Sequence, residues 1–307
     1  MARIITLTPN PALDYAVHAD FVEPNRKLRC REPQMHPGGG GVNVARATSR
    51  LGAHTLAIFT AGGLYGDALI KTIAMENVPM RVIPIAGETR LAFHVQNDRD
   101  GDEYRFNLPG AQMSDYEVNL FLRAVDEETE AGDYVVASGS LPPDAPQDLW
   151  AKAARIAKKN DARFVLDSIS GVKEALEEGV FMLRQNQHEY PALAGKELNW
   201  RDEVEAFAKE CVSKASAEAM VISHGGDGSI MAAKDGVAFA PSFKIKASSA
   251  VGAGDSFVGG LITGLAQGWD NEHALRYGMA AAGATRMSEG TALFKPADVE
   301  RLYRSET

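Results

Sequence analysis

The sequence predicts an α/β protein: a doubly wound, mostly parallel sheet with helices on both faces, plus a small β-sheet lid. Three observations carry that expectation. Apolar runs of strand length recur without the polar alternation of a half-solvated sheet: "IITLT" from Ile4, "TLAIFTA" from Thr55, "YVVAS" from Tyr134, "RFVLDS" from Arg163 and "AMVISH" from Ala219. Helix-length segments fall between them, at Val42 to Leu51, Gly66 to Asn77, Asp144 to Lys159 and Arg201 to Ala215. Such alternation marks βαβ units. At about 12–36 and 88–109 the pattern turns to short strands, and "RLAFHVQNDRDGDEYRFNLPG" reads as a hairpin about its Asp-Gly turn.

A chain of 307 residues is long for one domain but suits a single large α/β unit, residues 1–307, with the lid strands inserted. Hydrophobic residues at 45% and charged residues at 24% are ordinary globular usage, which excludes global disorder. With 32 basic against 41 acidic residues the net charge is -9, which argues against a nucleic-acid or acidic-membrane partner. An anionic ligand would therefore need cations gathered locally. Cys30 and Cys211 form neither a metal-ligand spacing nor a disulfide framework, and the histidines are scattered. The start lacks the pattern of a secretion signal and no apolar run is long enough to span a bilayer, so the expected address is the cytoplasm.

In Lys27-Leu28-Arg29-Cys30-Arg31 the cations alternate, which puts all three on one side of a predicted strand. That is either an edge guarded by charge or part of a cationic cup with Arg90 and Arg105. The lid's apolar positions, Leu91, Phe93 and Val95 with Tyr104, Phe106 and Leu108, favour a second copy of the chain as partner.

Two glycine clusters precede predicted helices. In "HPGGGGVNVARATSRLG", His36 to Gly52, close backbone approach to a ligand is possible and Asn43 can donate to and accept from hydroxyls. In "VGAGDSFVGG" the small residues Gly252, Ala253 and Gly254 leave peptide N–H groups free to face an anion at a helix start. Asp255 follows at once. A carboxylate there repels phosphate but is well placed to take the proton of an attacking hydroxyl; the alternative is a helix N-cap. Neither cluster has the spacing of a P-loop or a dinucleotide-binding turn, which excludes a dinucleotide oxidoreductase. Ser138 and Ser140 lack the nucleophile-elbow frame. Asp167 reads equally as a strand-end turn residue or a support for a site.

Together, "GGGGVNVARATSRLG" with Gly62, and "VGAGDSFVGGLI", resemble the paired signatures of the ribokinase-like, or PfkB, family of carbohydrate kinases. "TLTPNPALD", "KLRC", Thr89-Arg90, "YRFNLPG", "SGSLPP", "NQHE" and "ISHGGDG" follow in the family's order over nearly the whole chain. The phosphosugar branch is the nearest. The resemblance implies a ribokinase-like fold and ATP-dependent phosphorylation of fructose 6-phosphate to fructose 1,6-bisphosphate. Tagatose 6-phosphate and fructose 1-phosphate are the alternative substrates, and a sugar-phosphate sensor with a degraded ATP site is the non-enzyme alternative.

By the same resemblance Asp255 is the general base and Gly252, Ala253 and Gly254 form the anion hole. Asp14, Gly39, Gly40 and Asn43 would contact sugar hydroxyls, while Lys27, Arg29, Arg90, Arg105 and Ser140 would surround the sugar phosphate. Arg184, Asn186, Ser223, Gly225 and Gly228 would face ATP, and Asn186 with Glu189 would hold hydrated Mg2+, sharing one face of a helix that starts there. Many members read Lys-Pro-Asn-x-x-Glu with a further lysine; here Arg184-Gln185-Asn186-Gln187-His188-Glu189 stands instead, and Ala250 replaces the usual threonine. Nucleotide preference is left open by those changes.

Overall fold

The computed structural model describes residues 2–305 except 215, 248 and 289–291. The first half of the chain forms β1 (Ile4–Thr8), β2 (Ala12–Ala19), β3 (Cys30–Gly38), α1 (Gly40–Arg50), β4 (Thr55–Ala61), α2 (Gly63–Met75), β5 (Met80–Pro84), β6 (Arg90–Asn97), β7 (Glu103–Asn107), α3 (Asp115–Glu128) and β8 (Tyr134–Ser138). There follow α4 (Leu149–Lys159), β9 (Arg163–Asp167), α5 (Val172–Glu178), β10 (Val180–Asn186), α6 (Tyr190–Ala194), α7 (Asp202–Ser213) and β11 (Ala217–Ser223). The chain ends with β12 (Ser229–Ala233), β13 (Gly236–Ala240), α8 (Ala253–Ala266), α9 (Asn271–Arg286) and α10 (Pro296–Arg304). No helix among the described residues is long and apolar enough to cross a membrane.

Nine strands form the large sheet in the order β13-β12-β11-β10-β9-β8-β1-β4-β5. All neighbours are parallel except at one edge, where β11, β12 and β13 run antiparallel. Residues of β1 and β8 are buried throughout, because helices cover both faces. On one face Phe121, Trp150, Ala153, Val204 and Ala208 pack from α3, α4 and α7. On the other, Val44, Phe257, Leu261, Leu275 and Val299 pack from α1, α8, α9 and α10. Sheet order reverses at β1, which lies between β4 and β8, so a crevice opens beyond the ends of β1 and β8.

The second sheet has four strands in the order β3-β2-β6-β7. Its strand β2 leaves β1 after three residues, and β3 runs straight into the glycine turn before α1, so its base is fixed at the crevice. Pairing places Asp14 opposite His36 and Ala92, and His94 opposite Arg105 and Ala16, on one face. Met35, Tyr15, Phe93 and Phe106 form a row across the other.

Three sequence expectations differ from the structure, and a fourth falls on a residue outside those described. Residues 27–29 lie in the loop before β3, so Lys27, Arg29 and Arg31 do not share a strand face; Arg31 instead pairs with Asp20 and Asp98. The proline and asparagine of Pro24-Asn25 explain this, since Asn25 takes a positive φ of 58° and extends the turn. Asn186 ends a strand rather than starting a helix: Gly179, at φ 80°, breaks the chain between α5 and β10. The helix expected from Asp144 starts only at Leu149, after a positive φ at Asp144 and the proline Pro146. Ala215, the expected end of the helix from Arg201, lies outside the described residues, and α7 runs to Ser213.

Helix α8 is placed by backbone contact as much as by side chains. A Cβ on Gly260 would stand 2.8 Å from the Tyr277 carbonyl oxygen and 2.9 Å from Ala281 Cβ, while one on Gly278 would stand 2.8 Å from the Phe257 carbonyl oxygen. Gly260→Val should therefore force α8 and α9 apart and destabilise the fold by about 1–3 kcal/mol, read as a lower urea midpoint. An unchanged midpoint would show that the helix pair can repack.

Candidate active site

Gly252 adopts φ 71°, and this left-handed residue is the N-cap of α8. Asp255 stands in the first turn and caps nothing: its Oδ2 accepts from Asn43 Nδ2 at 2.8 Å. The N-cap alternative is thereby excluded. Asn43 lies in the first turn of α1, after Gly39 at φ 101°, where a side chain would strike Pro11. Its Oδ1 accepts from Arg46 Nη1 at 2.9 Å, which turns its amide nitrogen towards Asp255. Arg46 is fully buried; it also donates to the Pro37 carbonyl and to Glu76. Burial pushes the Asp255 carboxyl up to about 7, repulsion from Asp167 and Asp14 adds to this, and Asn43 and Arg184 hold it back. The N–H groups of Gly254 and Asp255, at the start of α8, have no partner within their own helix, while Ala253 N donates to the Ala250 carbonyl at 3.4 Å.

From the small sheet comes Asp14, buried and within 3.9 Å of His94 Nε2. Burial lifts its carboxyl to about 6 against the pull of Arg90 and then Arg46. Arg90 donates to the Asn10 carbonyl at 3.4 Å, and Asn10 Nδ2 donates to Ser140 Oγ at 3.2 Å. Gly40 is pressed against Ser138 and Gly139: a Cβ there would lie 2.4 Å from Ser138 Oγ. These contacts bring Asp14, Gly39, Gly40, Asn43, Arg90 and Ser140 to the loops beyond β1 and β8. Arg105 shares the polar face but is tied to Glu103 at 2.6 Å. Lys27 and Arg29 are exposed on their loop, and no described side-chain contact ties either to this group.

A cleft of about 230 Å³ adjoins the other side of the α8 N-terminus, lined by Arg184, Asn186, Ser223, Gly225, Gly254 and Arg286 among others. Arg184 Nη1 donates to Asp167 Oδ1 at 2.9 Å and Nη2 to Ser223 Oγ at 2.6 Å, while Asp167 Oδ2 accepts from Ser138 at 2.9 Å. Asp167 thus supports the site and is not a turn residue. Asn186 N donates to Glu189 Oε2 at 2.8 Å, so the two residues meet across a turn instead of along a helix face. Gly228 is outside the lining; at φ 115° a Cβ on it would strike the Ala240 carbonyl oxygen at 2.4 Å, and its place is the start of the β12–β13 hairpin. Among the described residues no three His, Cys, Asp or Glu side chains cluster as a metal cage. One carboxylate beside an amide fits a hard cation that brings water and phosphate ligands of its own.

The profile described as pfkB family carbohydrate kinase matches residues 8–298. This chain belongs to that family. ATP-dependent 6-phosphofructokinase isozyme 2 of Mycobacterium tuberculosis is 38% identical over 301 residues, spanning 98% of this chain and 89% of the relative. The 1-phosphofructokinase of Bacillus subtilis is 33% identical over 288 residues, 93% of each chain. The crystal structure of Escherichia coli phosphofructokinase-2 in complex with fructose-6-phosphate superposes with a TM-score of 0.93 at 36% identity, covering 99% of this chain and 98% of that one. The fold of this pfkB kinase is the ribokinase-like one.

Sequence reasoning missed Arg46, Glu76 and Arg286. Arg46 had a readable signal, since it follows Asn43 by three positions and so shares a helix face with it. Glu76 had none, because only the fold brings the end of α2 beside α1.

At alkaline pH the folded kinase must keep Asp255 ionised near two other carboxylates. Between its ordinary 3.8 and about 7 the folded state holds the proton that the unfolded state has lost, so stability falls as pH rises through that window. Asp255→Asn retains an acceptor for Asn43 without the charge. The variant should melt above the parent at about pH 8, by a margin that shrinks towards about pH 5. A margin independent of pH in a melting series would contradict the raised carboxyl.

Proposed function

We propose that this pfkB kinase transfers the γ-phosphoryl group of ATP to a ketohexose phosphate, with fructose 6-phosphate becoming fructose 1,6-bisphosphate. The observation that carries the reading is Asp255, a largely buried carboxylate with a raised pKa at the first turn of α8, held by Asn43 from the first turn of α1. Asp14, Gly39, Gly40 and Asn43 would bind sugar hydroxyls. Arg90, Arg105 and Ser140 would take the sugar phosphate, joined by Lys27 and Arg29 as their loop folds inward; Arg105 must first exchange Glu103 for that phosphate.

The C1 hydroxyl attacks the γ-phosphorus in line, its proton passes to Asp255, and ADP leaves as the new O–P bond forms. A base whose carboxyl lies at about 7 suits that task near neutral pH. Gly252, Ala253 and Gly254 would direct first-turn N–H groups and the positive helix end at the charge that develops on the transferring group. Arg184, Asn186, Ser223 and Gly225 would receive the nucleotide, with Gly228 shaping the turn behind them. Asn186 and Glu189 would hold Mg2+, which when bound offsets nucleotide charge.

A homodimer through the small sheet is part of the same proposal. Met35 is 47%, Phe93 36%, Phe106 53% and Leu108 45% exposed, a contiguous apolar surface on one layer of strands. Phe106→Asp should shift sedimentation from dimer to monomer, and a monomeric parent would remove the idea. We propose the cytoplasm as its location, where ATP is available and the free thiols of Cys30 and Cys211 stay reduced.

The test is a panel of free and phosphorylated hexoses with ATP and Mg2+, scored by ADP release. Fructose 6-phosphate should give the highest kcat/KM; preference for tagatose 6-phosphate or fructose 1-phosphate would reassign the substrate, and sugar-phosphate binding without ADP release would make the protein a sensor. Asp255→Asn should lower kcat by about 100- to 10,000-fold with little change in either KM. Near-parental turnover in that variant would sink the base assignment.

A further inference from the structure

We propose that Arg286 is a phosphate-binding residue of the nucleotide cleft, forming with Arg184 a two-arginine clamp on the polyphosphate. The inference rests on the reading of that cleft as the ATP site. Arg286 is the last residue of α9, and Met279, Ala282 and Arg286 project from one side of the helix into the cleft that Arg184, Ala253 and Gly254 also line. The body of α9 is buried against α8, so the guanidinium is presented from a fixed platform.

Two observations favour an anionic ligand for this cleft. Among the described residues, six buried side-chain polar atoms have no hydrogen-bond partner, and two of them are the Nε atoms of Arg184 and Arg286. A buried guanidinium N–H is costly to leave unpaired, and Nε with one Nη is the fork that grips phosphate oxygens. Both arginines of one cleft leave that buried donor unpaired. The second observation concerns charge. Arg184 is compensated by Asp167 at 2.9 Å, and His188 is exposed and bonded to Gln187. Arg286 has no carboxylate within ion-pair distance among the described residues. In a chain of net charge -9 it is a cation of the cleft with no acidic partner among the described residues, and an anion is the ligand class it suits.

The experiment measures ADP and adenosine affinity by calorimetry, and KM for ATP and fructose 6-phosphate, in the parent, Arg286→Gln and Arg286→Lys. Loss of the contact should weaken ADP and raise the KM for ATP by about 10- to 100-fold in Arg286→Gln. Adenosine affinity and the KM for fructose 6-phosphate should move less than about 2-fold. Arg286→Lys, which keeps charge without the fork, should fall between. Unchanged ADP affinity in Arg286→Gln, or equal weakening of ADP and adenosine in both variants, would overturn the clamp while the kinase reading stands. A parent that binds no nucleotide would overturn both.

Discussion

The hydrogen bond from Asn43 to Asp255 joins the two glycine-rich helix starts, and its direction is imposed from outside the site. Arg46 occupies the Asn43 amide oxygen, leaving only the NH2 group for Asp255, and Glu76 and the Pro37 carbonyl hold Arg46 in place. Arg50 completes the cluster by donating to the other Glu76 oxygen at 2.8 Å. Packing supplies the distance: a Cβ on Gly259 would lie 2.6 Å from Ala47 Cβ, so α8 meets α1 almost backbone to side chain. The position of Asp255 is thus the result of two helices pressed together and one amide that cannot turn.

That geometry concentrates negative charge in an already acidic protein. Asp14 and Asp167 both bear on Asp255, and the structure answers each of the three differently. Asp167 is ionically paired with Arg184 and accepts from Ser138, whereas Asp14 and Asp255 are left with carboxyls lifted to about 6 and about 7. Because Asp167 and Ser223 share its guanidinium, Arg184 can lie beside Gly254 without collapsing onto Asp255 as an ion pair. A direct pair would depress the Asp255 carboxyl and remove the capacity as a base near neutral pH that we propose for it. Holding the cation close but engaged elsewhere is compatible with both proposed roles.

Where the sequence was legible, one local rule sufficed. Apolar runs marked β1, β4, β8, β9 and β11, because strands covered on both faces need little else, and glycine before an amphipathic segment marked the starts of α1 and α8. Strand β10 escaped because Arg184 and Gln185 end its apolar run after Leu183; both are buried, with Arg184 Nη1 donating to Asp167 and Gln185 Nε2 to the Ser168 carbonyl. The cations at 27–31 misled because alternation predicts a shared face only if the segment is extended, and a turn at Asn25 intervenes. Arg286 was unreadable for a different reason. A single arginine ending an alanine-rich helix carries no local sign of what lies opposite, and its relation to Arg184 comes only from the α8–α9 packing.

Strand alternation also ties the small sheet's two faces together. Asp14 and Tyr15 are neighbours in β2, as are Phe93 and His94 in β6 and Arg105 and Phe106 in β7, so each polar group facing the crevice has an exposed or half-exposed aromatic one step away on the opposite face. A single layer of four strands with most of β3 exposed gains little stability by itself. It is held at its base, where Thr89 exchanges hydrogen bonds with Gly62 at 2.9 and 3.1 Å, and by whatever covers its apolar side. Because pleated strands move as units, a surface that fixed Tyr15, Phe93 and Phe106 would also fix the angle at which Asp14 and Arg105 would address the proposed ligand. Assembly and substrate binding, as proposed for this sheet, would therefore be a single mechanical problem, posed by a repeat of two residues.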